Sequence, residues 1–115
     1  MIQKQTWKDE IRIIITDEEN LGSVQISIPL YASDIFGKAE ALIYALWVDV
    51  VHRRNGVAQR LLQLAEQQAK LNGVKTIGLE FNKDESDSFV LDWYLRSGYK
   101  PFNKKSNLLI KKLED

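Results

Sequence analysis

At 115 residues the chain is long enough for one domain with a modest core and too short for a second. Its 44% hydrophobic and 28% charged content is that of a folded globular protein, and sixteen basic residues balance sixteen acidic ones, so no global field favours nucleic acid or an anionic membrane as partner. Cysteine is absent, which excludes disulfides, thiolate metal sites and a cysteine nucleophile and fits a reducing compartment.

The opening residues Met1-Ile2-Gln3-Lys4-Gln5 lead into no signal-type apolar region, and no apolar stretch reaches transmembrane length without a charge. A soluble, cytoplasmic protein is expected. After a polar lead containing Trp7, the β-branched run Ile11 to Ile15 predicts a strand. Turn formers from Thr16 to Ser23 precede Val24, Ile26, Ile28 and Leu30, which alternate with polar or small residues, so a hairpin is expected with Pro29 near its end. A second loop, Tyr31 to Lys38, leads into a long strand from Ala39 to Val51 that is apolar on both faces, as when both are covered. A helix from about Val57 to Leu71 places Val57, Leu61, Leu64 and Ala65 on one stripe and ends at Asn72-Gly73. Thr76 to Phe81 alternates as a strand, and the long strand–helix–strand connection makes it parallel to its predecessor. A second helix starts near Ser86 or Ser88 and stops at Gly98, with Phe89, Val90, Trp93 and Tyr94 spaced for one buried face. Tyr99 to Phe102 and Leu108 to Leu113 then form a closing antiparallel pair. No repeat, low-complexity segment or linker marks a boundary, so residues 1–115 read as one domain.

The most informative junction lies between the third strand and the first helix, where Arg53-Arg54-Asn55-Gly56 forms a tight basic turn. The first turn of a helix leaves N–H groups without intrahelical partners, and with the positive end of the helix dipole they make an anion site. Arg53, Arg54 and Arg60 add charge, so a phosphate or pyrophosphate ligand is one reading and a solvated basic turn the other. Neither G-x-x-x-x-G-K-S/T nor G-x-G-x-x-G occurs, which removes Walker-type and dinucleotide-type loops.

Arg53-Arg54-Asn55-Gly56-Val57-Ala58 fits the R/Q-x-x-G-x-G/A pattern of the GNAT superfamily of acetyl-CoA-dependent N-acetyltransferases, and Tyr94, Gly98 and Tyr99 resemble that family's Y-x-x-x-G-F segment. Val48 to Arg53 looks like the family's strand end, with Val50 where proline is common, and Asp87 and Val90 stand where members often show Asn and Ala. The order β, β, β, α, β, α, β, β matches the later part of the fold. The resemblance therefore implies an α/β (α+β) class with a mixed, mostly antiparallel sheet, a central splayed parallel strand pair and two main helices. It also implies a short member, since only about ten residues precede Ile11 where the family has an opening strand and paired helices.

By resemblance, the activity is transfer of an acetyl group from acetyl-CoA to a primary amine by direct transfer, with no metal. The backbone of Val48 and Val50 would pair with the pantetheine arm in the splay. Arg53, Arg54, Asn55, Gly56, Val57 and Ala58 would hold the pyrophosphate, and Asn82 and Tyr94 would complete the cofactor site. By side chain alone, Val48 and Val50 read as core. Tyr94 is the candidate acid for the departing thiolate, and as a residue without that resemblance it reads as a core aromatic. The base is less evident: Leu42 stands where some members carry glutamate, Glu40 lies two residues away on the same strand face, and Glu80 lies on the adjoining strand. Both glutamates also read as solvated surface carboxylates. His52, the one histidine, belongs to the phosphate side of the turn rather than to the acetyl group, and water is a further route for the proton. An acetyl-CoA-binding or protein-interaction domain with little turnover is the alternative function. A homodimer is expected from three tryptophans in so short a chain and an uncovered sheet face.

Overall fold

The computed structural model describes residues 1–29, 39–49, 56–81, 88–103 and 107–113. Among these, seven strands and two helices follow in the order β1 (Ile2–Thr6), β2 (Glu10–Thr16), β3 (Gly22–Pro29), β4 (Ala41–Val48), α1 (Val57–Leu71), β5 (Thr76–Glu80), α2 (Ser88–Arg96), β6 (Lys100–Pro101) and β7 (Leu108–Lys112). They form one mixed sheet in the spatial order β1-β2-β3-β4-β5-β7-β6, antiparallel at every pairing except β4 with β5. The expected fold class is observed.

Alternation decides which face each strand buries. Ile13 and Ile15 of β2, Val24 and Ile26 of β3, Ala41 and Ile43 of β4, and Ile77 and Leu79 of β5 share one face and are almost fully buried. Helix α1 lies across β2, β3 and β4 on that face through Val57, Leu61, Leu62, Ala65 and Ala69. Each large aliphatic side chain buried there contributes about 1.5–3 kcal/mol. The expected stripe is corrected at one position: Leu64 is 37% exposed, and Leu62, 2% exposed, takes the place in the core. The two leucines are two residue steps apart, a rotation of about 200°, so they cannot both face the sheet.

Four other expectations change. Ile2–Thr6, read as a polar lead, forms an edge strand with β2, in register from Ile2 opposite Ile15 to Thr6 opposite Ile11, and each of its residues is exposed. Backbone pairing with a strong β2 recruits it without any apolar stripe of its own. The long strand does not bury both faces along its length, since Ala45 and Trp47 are exposed. Pairing with β3 breaks between Gln25 opposite Tyr44 and Ser23 opposite Trp47, so that Val24 faces two residues of β4; Ala45 adopts the left-handed conformation at φ 54°. This is a β-bulge, and it re-aims the second half of β4. The closing strand β6 is shorter than Tyr99–Phe102, and α2 has its last helical residue at Arg96.

Bulge and strand partners together open the sheet. The parallel ladder of β4 with β5 covers three residue pairs, Ala41 to Ile43 with Ile77 to Leu79. Beyond it β4 stays with β3, ending in Val48 opposite Gly22 and in the Asp49 N–H donating to the Leu21 carbonyl at 2.7 Å. Strand β5 instead stays with β7 through Glu80, and the Phe81 N–H donates to the Asn107 carbonyl at 2.8 Å. The two central strands are thus splayed at the end of β4 from which the chain enters α1.

Candidate active site

At the head of α1, Gly56 occupies the cap position with φ 78° and ψ 6°. A Cβ built there meets nothing within 4 Å among the described residues, and it is the left-handed backbone that calls for glycine. The space left above the cap by the described residues, the absence of an acidic side chain in the first turn and the amides of Val57 and Ala58 make an approach suited to an anionic group. The Val57 side chain is buried beneath the turn and Ala58 is half-buried against the core, so it is their backbone that the turn presents. Arg60 is turned away: its Nη2 pairs with Asp17 Oδ1 of the β2–β3 turn at 3.3 Å. Val48 is a buried core residue at the end of β4. Val50, His52, Arg53, Arg54, Asn55 and Asn82 lie outside the described residues.

Tyr94 is built into the end of α2. The Tyr99 N–H donates to the Tyr94 carbonyl at 3.1 Å and the Gly98 N–H to the Leu95 carbonyl at 3.2 Å, with Gly98 at φ 100°. That pair of bonds is a Schellman ending, in which the third-last helical residue and the second residue beyond the cap touch through their side chains. Here those residues are Tyr94 and Tyr99, whose rings meet edge to face at 6.0 Å. A tyrosine, three intervening residues, a glycine and an aromatic therefore form one structural unit. Tyr94 also meets Phe81 edge to face at 6.5 Å and Trp93 at 5.0 Å, which places its ring beside the end of β5 where the splay lies. Its hydroxyl makes no hydrogen bond among the described residues, and burial pushes it above its ordinary pKa of 10.0, so it is a protonated donor at neutral pH. Trp93 lies toward a groove of about 280 Å³ between α1 and α2, lined also by Leu62, Glu66 and Lys111.

The two glutamates part company. Glu80 is exposed at the last residue of β5, on the sheet face away from α1, at the mouth of the splay. Glu40 precedes β4 at the other end of the strand pair, and its Oε1 accepts the N–H groups of Lys75 and Thr76 at 2.9 and 3.1 Å. Four residues of strand separate it from Tyr44, roughly 13 Å. The structure therefore does not bring Glu40 to the opening; it caps the start of β5. Sequence reasoning also passed over Glu66, which accepts from the Tyr99 hydroxyl at 3.1 Å and from Lys111 Nζ at 2.7 Å and ties α1 to the last strand. Burial, followed by the Glu66 carboxylate, drives the Tyr99 hydroxyl far above its ordinary pKa.

Among the described residues no cluster of His, Cys, Asp or Glu could hold a metal ion, and no helix is long and apolar enough to cross a membrane. A search of curated proteins finds no match. Solved structures do match in fold. An acetyltransferase from Bacillus cereus superposes with a TM-score of 0.63 at 23% identity, covering 91% of this chain and 74% of that one. The PaiA N-acetyltransferase from Thermoplasma acidophilum, in complex with coenzyme A, gives 0.65 at 17% identity, over 90% of this chain and 61% of that one. The aminoglycoside 6′-acetyltransferase type Ii gives 0.65 at 18% identity, over 94% and 72%. The pattern of the Acetyltransferase (GNAT) family spans residues 3–99, from the edge strand through the Schellman ending of α2. With the splayed parallel pair opening onto a glycine-capped helix, and that family's pattern running through both, the chain belongs to the GNAT acetyltransferase family.

Proposed function

We propose that this protein transfers an acetyl group from acetyl-CoA to a primary amine by direct attack. The observation that carries the reading is the β4–β5 ladder that stops after three pairs and opens at the head of a helix whose cap is left-handed and, among the described residues, uncovered. A ligand with its own amides fits between splayed strands, as the pantetheine arm does alongside Val48 and Val50, and the amides of Gly56, Val57 and Ala58 suit a pyrophosphate. Arg53, Arg54, Asn55 and Asn82 complete this cofactor site in the proposal. The neutral amine nitrogen attacks the thioester carbonyl carbon, the N–C bond forms, the C–S bond breaks, and the thiolate takes a proton from the Tyr94 hydroxyl. The nitrogen's own proton leaves through water, with Glu80 the carboxylate at the mouth of the opening, and water returns a proton to the Tyr94 oxygen. The second reading, acetyl-CoA binding with little turnover, is favoured by the engagement of Glu40 in backbone hydrogen bonds. Thiol release from acetyl-CoA over a panel of amines separates the two: amine-dependent release supports transfer, and binding without release supports the second.

We also infer that the protein forms homodimers through β1, an edge strand exposed along its whole length. Alternation from the Trp7 N–H donating to the Glu10 carbonyl aims the N–H groups of Ile2, Lys4 and Thr6 away from β2, where a second copy would meet them.

A further inference from the structure

The sheet face turned away from α1 carries a cluster that the acetyl-CoA site does not use. Because Ile13, Ile26 and Ile43 point toward α1, their neighbours Arg12, Ser27 and Tyr44 project to the other side, together with Glu10. The Arg12 guanidinium lies 4.4 Å from the Trp7 ring centre and 5.9 Å from that of Tyr44. Its Nε and one terminal nitrogen hold Glu10 at 3.2 and 3.4 Å, and Ser27 Oγ donates to Glu10 Oε1 at 2.6 Å. The Ser27 hydrogen bond, ahead of Arg12, keeps the Glu10 carboxyl below its ordinary pKa, so it stays ionised and grips the guanidinium at neutral pH. Arg12 is thereby fixed in place with its second terminal nitrogen making no hydrogen bond among the described residues.

Beside it the Tyr44 hydroxyl is buried and has no hydrogen-bond partner among the described residues. A buried hydroxyl without a partner costs about 1–3 kcal/mol, whereas phenylalanine would fill the same space without that cost. Burial raises the Tyr44 pKa, so the group is a phenol and offers its proton. Two donors with unused capacity, one of them cationic, match the acceptor oxygens of a carboxylate. The location bears on the reaction. Tyr44 directly follows Ile43, the last residue of β4 paired with β5, so the ring springs from the mouth of the splay, and Arg12, two strands further on, reaches back until its guanidinium lies 5.9 Å from that ring centre.

We propose that Arg12 and Tyr44 form a carboxylate subsite that selects acceptors carrying a carboxylate at the far end of a chain from the reacting amine, as in ω-amino acids and the side chain of lysine. An α-amine stays within two bonds of about 1.5 Å of the carboxylate carbon, whereas five or six bonds at roughly 1.3 Å each carry an amine about 7 Å from the guanidinium toward the opening. The subsite rests on the acetyltransferase reading for its place in a reaction, and carboxylate binding tests it without acetyl-CoA. Trp7 stacks on Arg12, so caproate and ε-aminocaproate should change tryptophan fluorescence in wild type, hexylamine should not, and Trp7→Phe should lose the signal. Tyr44→Phe should weaken caproate binding about tenfold or more while leaving the melting temperature unchanged or higher, and Arg12→Lys, which keeps the charge but not the fork, should weaken it as well. In turnover, ε-aminocaproate should be preferred to hexylamine through KM rather than kcat, and Tyr44→Phe should bring the two kcat/KM values together. Caproate bound as tightly by Tyr44→Phe as by wild type, or no caproate binding at all, overturns the subsite even if amines are acetylated. Tyr44-dependent caproate binding with no transfer to any amine keeps the subsite and overturns the acetyltransferase reading.

Discussion

Replacing Tyr94 by phenylalanine separates chemistry from packing, because the structure gives the ring and the hydroxyl different work. The ring holds the Schellman contact with Tyr99 at 6.0 Å and the edge-to-face contact with Phe81 at 6.5 Å, and phenylalanine preserves both. The hydroxyl makes no hydrogen bond among the described residues, so its loss leaves nothing unsatisfied and should change stability by less than about 1 kcal/mol, whereas Tyr94→Ala should cost about 3–5 kcal/mol. A positioned acid contributes roughly a hundred- to ten-thousandfold. With solvent able to protonate a thiolate slowly, we expect Tyr94→Phe to lower kcat about ten- to a thousandfold at unchanged acetyl-CoA affinity. The assay is steady-state thiol release with an accepted amine, beside thermal melts with and without CoA. Because burial raises the Tyr94 pKa, the acid stays protonated through neutral and mildly alkaline pH, so the wild-type rate should not fall for want of this proton below pH 10.0. If Tyr94→Phe acetylates at the wild-type rate, Tyr94 is only the packing half of the helix ending and the thiolate leaves without it.

Other expectations follow from the same geometry. Gly56→Val meets open space but forces a β-branched residue into a left-handed backbone, so it should lose about 1–2 kcal/mol, still fold, and lose most of the melting shift that acetyl-CoA produces in wild type; no shift in wild type at millimolar acetyl-CoA would sink the phosphate-turn reading. Lys4→Pro removes an outward N–H of β1 while sparing its bonds to β2, so sedimentation should show monomer for the variant and dimer for wild type; wild-type monomer at tens of micromolar counts against the dimer. Tyr94 and Tyr99 both have raised pKa values in the fold, so the unfolded chain loses their protons first, and their contribution to stability should be constant below pH 10.0 and decline above it. Tyr99→Phe should make that alkaline decline shallower in denaturant titrations. Glu10 has the opposite sign: its depressed pKa adds stability that is present above its ordinary 4.5 and lost as pH falls through the lowered value, and Glu10→Gln should remove that acid-side loss.

Much of the architecture is legible in the chain because it is written in local rules. The helix Val57–Leu71 follows from its apolar spacing and from Asn72-Gly73, which the structure shows closing it with the Val74 N–H donating to the Ala69 carbonyl at 3.0 Å. The parallel pair follows from a strand–helix–strand connection too long for a hairpin. The spacing from Tyr94 through Gly98 to Tyr99 is likewise a backbone requirement, since a left-handed residue must follow the helix before an aromatic can fold back. What local rules cannot carry is register and long-range partners. No residue type announces that Ala45 takes a left-handed bulge, because the bulge arises from the mismatch of β3 and β4. An exposed polar strand such as Ile2–Thr6 has no periodic signature, and only the waiting edge of β2 organises it. Glu40, bound to Lys75 and Thr76, and Arg60, bound to Asp17, looked free because their partners lie 35, 36 and 43 residues away. The same separation hides Arg12 from Tyr44: charge and aromaticity can be counted along the chain, but their convergence on one sheet face depends on strand order, which tertiary packing alone decides.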